Sequence, residues 1–134
     1  MRKIVAVATS VVLAHLGLSL LHRQAHIHLQ IMLTRNQWLF VLAVITLAPP
    51  VAAILLWTRF QRVGAWLLLL SMLGSFVFGV YYHFAAVSPD NVSQVPPGAW
   101  GTRFQLSAVL LAVVEALGCG VGIWALRQRL DEVS

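Results

Sequence analysis

The sequence predicts an all-α integral membrane protein: a bundle of four transmembrane helices with both termini on the cytoplasmic side. Three observations lead there. Hydrophobic residues fill 60% of the 134 positions and charged residues 10%, against about 45–50% and about 25% in soluble proteins. A water-soluble monomer this short has too much surface for its volume to hide so much apolar area, and intrinsic disorder requires low hydrophobicity. The apolar residues also gather into four runs, each near the roughly 20 residues that a helix needs to cross a bilayer core of about 30 Å. Finally, the basic residues divide unevenly between the connections. One membrane domain, residues 1–134, accounts for the chain.

The first span runs from about Ile4 to Leu21. It follows Arg2 and Lys3 as a signal peptide would, but its apolar run exceeds the usual 7–15 residues and no small-residue cleavage pattern follows. It is therefore expected to be retained. Residues 22–33 admit three conformations. The helix continues, or His26-Ile-His28-Leu-Gln30-Ile alternates as an extended strand, or the segment lies flat at the interface.

The second span runs from about Trp38 to Trp57. Thr34-Arg-Asn-Gln37 has capping-box spacing and would start it. Pro49-Pro50 should kink it, since carbonyls in the preceding turn lose their donors. The third span covers about Val63 to Phe84, and the fourth about Phe104 to Leu126. Ser88-Pro-Asp-Asn91 and Pro96-Pro-Gly98 are turn signals between them. Asn91-Val-Ser93 matches a glycosylation sequon, too short a pattern to carry weight. Tryptophans and tyrosines cluster near the span ends, as aromatic belts do.

Orientation follows from Lys and Arg in the short loops. Arg2, Lys3, Arg59, Arg62, Arg127 and Arg129 fall on one side, and Arg23, Arg35 and Arg103 on the other. Six against three places the termini inside and residues 22–37 and 85–103 outside, in what would be a bacterial inner membrane. The net charge of +5 reflects this scatter, with no basic stripe for nucleic acid. The single cysteine, Cys119, excludes an internal disulfide and any cysteine-based zinc or iron–sulfur site within one chain.

Small residues let membrane helices approach closely. Ser71, Ser75 and Gly79 recur every fourth residue on span three, and Gly118 and Gly122 on span four. These faces should be buried in protein, within the bundle or in a homo-oligomer or larger complex.

Ionisable groups in hydrocarbon are costly and usually face the protein interior. His15, Ser19, His22 and His26 are spaced 4, 3 and 4, which puts them on one helix face. Spans one and three both travel outward, so His83 should reach the depth of His22 and His26. Two histidines one turn apart can share a metal, as in helical zinc motifs. His83 is a third candidate ligand, and Asp90 a fourth or an orienting partner. Glu115, the one acidic residue within a span, should point inward to a polar partner, with His15 the best candidate.

Three functions compete on these residues. One is a site for copper, zinc or iron, or for haem b, near the outer face, serving redox chemistry or metal handling. Another is proton-coupled transport by a small oligomeric transporter using Glu115 and His15. The last is an accessory subunit of a larger membrane complex. Walker, dinucleotide-binding and hydrolase signatures are absent from the sequence.

Overall fold

In the computed structural model, which describes residues 1–131 with side chains to Gln128, every regular element is helical. Four helices are long and apolar enough to cross a membrane: α1 (Arg2–His28), α2 (Arg35–Leu56), α3 (Gln61–Ala85) and α4 (Ala99–Asp131). Glu132, at the acidic C-terminal end, lies outside the described residues.

Helix α1 resolves the conformation of residues 22–33. It stays helical through His26 and His28, so the strand and flat-helix alternatives are set aside. The period-two pattern loses because the helical period turns His22, Ala25 and His26 toward the bundle together, burying Ala25 fully. Gln30 ends the helix in the left-handed region at φ 55°, and the Ile31 N–H bonds back to the His26 carbonyl at 3.0 Å, closing the last turn.

Helix α2 opens with the capping box. The Gln37 N–H bonds Thr34 Oγ1 at 3.3 Å, and the Thr34 N–H bonds Gln37 Oε1 at 2.8 Å. Pro49 and Pro50 leave upstream carbonyls without α-helical donors. The chain responds with a π-helical stretch, Val41–Leu47, in which the Ala48 N–H reaches five residues back to the Ala43 carbonyl. A second π turn, Tyr81–Ala85, closes α3, with the Ala86 N–H on the Tyr81 carbonyl at 2.7 Å.

Helix α4 begins five residues before the expected Phe104, directly after Pro96-Pro97-Gly98. Gly98 supplies the positive φ of 132° that turns the chain into it. The sequon does not behave as a surface site. Asn91 is buried, its amide donating to the Ala86 carbonyl and its Oδ1 accepting from the Ser93 N–H and hydroxyl.

Helix α4 packs along both α1 and α3, while α3 also packs on α2. Helix α1 meets α2 chiefly through the half after the prolines. The apolar core lies at that end, where Ile4, Val5, Ala8, Val12, Ala52, Leu56, Leu68 and Ala125 meet. Cys119 packs against this core as a small apolar side chain. Toward the other end the buried residues turn polar: His15, Ser71, Ser75, Glu115, His22, His83 and Asp90.

On the α3–α4 seam, a Cβ at Gly118 would lie 2.6 Å from Met72 Cγ, and one at Gly122 would lie 2.9 Å from Leu69 Cβ and 3.0 Å from its Cα. Met72 is a flexible side chain, whereas the Leu69 backbone cannot step aside. Gly122→Ala is therefore expected to destabilise by about 1–3 kcal/mol and Gly118→Ala by less. Gly120→Ala, whose Cβ meets nothing within 4 Å, should be nearly neutral. Thermal unfolding in detergent checks the order.

Candidate metal centre

His22, His26 and His83 come together at the polar end of the bundle. The ring centroids of His22 lie 4.8 Å from those of His26 and 4.7 Å from those of His83, and His26 and His83 are 6.1 Å apart. Helix α1 supplies the first two from successive turns, and the π turn of α3 supplies the third. Asp90 comes from the loop after α3, held by the Val92 N–H on the His83 carbonyl at 2.9 Å. One ligand atom from each of the four residues lies within 4.8 Å of all the others. His28 leaves the group and stacks on Trp100, with ring centroids 3.7 Å apart.

The hydrogen bonds at the backs of the three rings fix their tautomers. His83 Nδ1 faces the Asp90 carbonyl oxygen at 2.9 Å, and His26 Nδ1 faces the Ile31 carbonyl at 3.2 Å. A carbonyl only accepts, so each Nδ1 carries the proton. His22 Nδ1 meets Ser107 Oγ at 2.7 Å. That hydroxyl commits its own proton to the Arg103 carbonyl at 2.7 Å, so it too accepts from the ring. All three rings then present bare Nε2 lone pairs on their other side.

Two of those lone pairs meet, and the third turns to a carboxylate. His22 Nε2 and His83 Nε2 stand 3.1 Å apart, close to the roughly 3.3 Å edge of a tetrahedral site with bonds of about 2.0–2.1 Å. His26 Nε2 lies 3.1 Å from Asp90 Oδ1. That oxygen also lies 3.4 Å from His83 Nδ1, yet it is buried with no well-directed hydrogen bond. Bare nitrogens and a carboxylate oxygen this close repel unless a cation lies among them. Burial opposes the Asp90 charge, but once a proton takes the place of the cation on His26, hydrogen bonds from the His26 and His83 rings and their positive charge outweigh it and hold the carboxyl below the usual carboxylate range. Phe104 packs against all three rings at centroid distances of 4.6, 5.1 and 5.4 Å and closes the site from the α4 side.

Deeper in the bundle, His15 Nε2 lies 3.2 Å from Glu115 Oε1, both residues buried. Gly79 separates this pair from the histidines. A Cβ on it would sit 3.7 Å from Glu115 Oε2 and 3.9 Å from His83 Cδ2. Gly79 thus lines the interior of the site, while Ser71 and Ser75 are buried with their hydroxyls on the Leu68 and Ser71 carbonyls.

Sequence reasoning missed Ser107 and Phe104. Both lie on the stripe of α4 that carries Leu111, Glu115, Gly118 and Gly122, and following that stripe outward would have reached them. The Ile31 carbonyl had no sequence signal, because its position depends on how α1 ends.

Fold and site define an all-helical chain with four membrane-compatible helices and a His/Asp group able to hold a metal ion. Comparison with protein families, curated proteins and solved structures finds no match, and the functional reading rests on the chemistry of the site.

Ser107→Ala removes the acceptor behind His22 and leaves all four candidate ligands in place. It is expected to lower metal affinity by about 10–100-fold, read by competition with a chromophoric chelator. Glu115→Ala strands a buried imidazole and should cost about 1–3 kcal/mol of stability. Glu115→Gln, which can still bond His15, should recover most of that loss in the same unfolding assay.

Proposed function

We propose that this chain binds a single divalent transition-metal ion through His22, His26 and His83, with Asp90 as fourth ligand or as the group orienting His83. The Lys and Arg distribution favours a site on the outer face of a cytoplasmic membrane. The observation that carries the reading is the gathering of three imidazoles and a carboxylate, one ligand atom of each within 4.8 Å of all the others, with every Nδ1 proton held from behind, the usual arrangement behind metal-bound histidines. The nitrogen and oxygen donor set suits zinc, copper(II) or iron.

A bare ion is favoured over haem. Axial ligands to haem iron approach from opposite faces of a broad macrocycle, whereas His22 and His83 Nε2 at 3.1 Å leave no width for one between them. The buried His15–Glu115 contact favours a role for protons beneath the metal. We therefore read the protein as a metal-handling or redox membrane protein in which proton movement accompanies the metal.

Protein purified in detergent, stripped and reloaded, is expected to hold about one equivalent of metal by elemental analysis. His22→Ala and His83→Ala should abolish binding, and His28→Ala should retain it. Failure of the wild type to take up metal would overturn the proposal. Bound metal should be released on acidification, as protons displace it from imidazole, read by elemental analysis of protein dialysed at falling pH. Asp90 has a depressed folded-state pKa, so its stabilising contribution is complete above its ordinary value of 3.8 and is lost only as the pH falls further. Asp90→Asn should accordingly weaken binding and move metal release to higher pH, since protons displace a more weakly held ion more easily.

A further inference from the structure

A cavity of about 320 Å³ runs beneath the histidine cluster, at the small end of the range for ligand pockets. Its polar wall descends α1 from His26 through His22 to Ser19, with Glu115 below. The facing wall is apolar and comes largely from the π-helical stretch, including Leu42 and Ile45. Leu20, Ile27, Met32 and Trp38 line the cavity and are also exposed on the outside of the bundle. The cavity therefore opens sideways between α1 and the first half of α2, where those helices part, on a flank that would face lipid if these helices cross a membrane.

Two polar atoms along this cavity have no hydrogen-bond partner among the described residues: Asp90 Oδ1 and Ser19 Oγ, both buried. A metal ion accounts for the first. Ser19 lies one turn below His22 on the same face of α1 and lines the cavity with it. Serine in a membrane helix ordinarily bonds the carbonyl four residues back, as Ser75 does to Ser71. Ser19 does not, and its hydroxyl remains available to the cavity. A buried hydroxyl left unbonded is costly, and a ligand head bearing an oxygen would satisfy it.

Resting on the metal-centre reading above, we infer that the cavity binds a bilayer-soluble, single-chain amphiphile. Its oxygen-donor head coordinates the metal and bonds Ser19, and its medium-length apolar chain lies against Leu42 and Ile45. The lateral mouth admits such a molecule from the membrane, and the cavity volume limits the chain to medium length. Three imidazoles leave one coordination position for the head when Asp90 acts by orienting His83.

The test uses the full chain in detergent loaded with cobalt(II), whose visible bands report its coordination, and two probes with the same head, octanohydroxamate and acetohydroxamate. Octanohydroxamate is expected to bind at least about tenfold more tightly, since each buried methylene adds to affinity. Ile45→Trp and Ala112→Phe, which fill the cavity from opposite sides, should bring that ratio toward one while leaving acetohydroxamate binding unchanged. Either filled variant suffices if the other does not fold. Ser19→Ala should weaken both probes several-fold without changing cobalt affinity. Equal binding of the probes by the wild type, or a ratio unaltered in a folded filled variant, would overturn the inference and leave the metal centre standing. Absence of cobalt bands in the wild type would overturn both.

Discussion

The polar half of the bundle depends on three hydrogen bonds made by the backs of three rings. Each Nδ1 proton is held by an acceptor from a different part of the chain: the Asp90 carbonyl, the Ile31 carbonyl and the Ser107 hydroxyl. Once those bonds are made, the Nε2 lone pairs of His22 and His83 face one another and that of His26 faces the Asp90 carboxylate. The surrounding features serve this arrangement. Helix α1 continues to His28 so that His26 reaches the depth of the site. The π turn at Tyr81–Ala85 carries His83, and the loop after it folds inward with Asp90 and Asn91 buried. Phe104 fills the volume behind the rings.

The rest of the bundle makes this placement possible by dividing the work along the membrane normal. At the end holding the helix-to-helix core, alanines and glycines bring backbones close, and dispersion contacts hold the helices together with one hydrogen bond, from Trp57 Nε1 to Thr9 Oγ1 at 3.0 Å. At the other end, buried imidazoles, carboxylates and hydroxyls share the interior with a smaller apolar cluster of Ala25, Ile31 and Phe104. The double proline marks the change on α2. After it, α2 packs against α1. Before it, the π-helical stretch and the helix leading into it diverge from α1 and leave the lateral cavity. Bulges of this kind often occur at functional sites, and here the bulged residues form the apolar wall facing the histidines.

Much of this was legible because membrane helices have a strict period and length. Four apolar runs gave four spans, and the 4, 3, 4 spacing placed His15, Ser19, His22 and His26 on one face. The reasoning on depth that paired His83 with His22 and His26, and Glu115 with His15, needed only the alternating direction of the helices. The rest depended on tertiary contacts with no local signature. Nothing in residues 22–33 by themselves decides between a strand and a helix, because the deciding term is the burial of His22, Ala25 and His26 against α3 and α4. Ser107 resembles any membrane-helix serine until His22 stands beside it. The response to Pro49-Pro50 was equally hidden, since a kink and a π stretch both answer the same missing donors.

The metal-free site holds an electrostatic contradiction. His22 and His83 present two lone pairs to one another at 3.1 Å, and His26 presents a third to the Asp90 carboxylate. Water is held back by Phe104 and the surrounding helices, so the repulsion is weakly screened. Positive charge resolves it in one of two ways. Protons can do so one ring at a time, turning the Asp90 contact into an ion pair and the His22–His83 contact into a shared hydrogen bond. One divalent ion can instead satisfy all the converging atoms at once. The two would compete for the same lone pairs, so uptake of an ion by this candidate site would release protons. The nearest titratable groups outside the cluster on the deeper side are Glu115 and His15, separated from it only by the missing side chain of Gly79. Protons leaving the site in that direction would meet this pair first, which gives the buried carboxylate of α4 a physical connection to the metal centre.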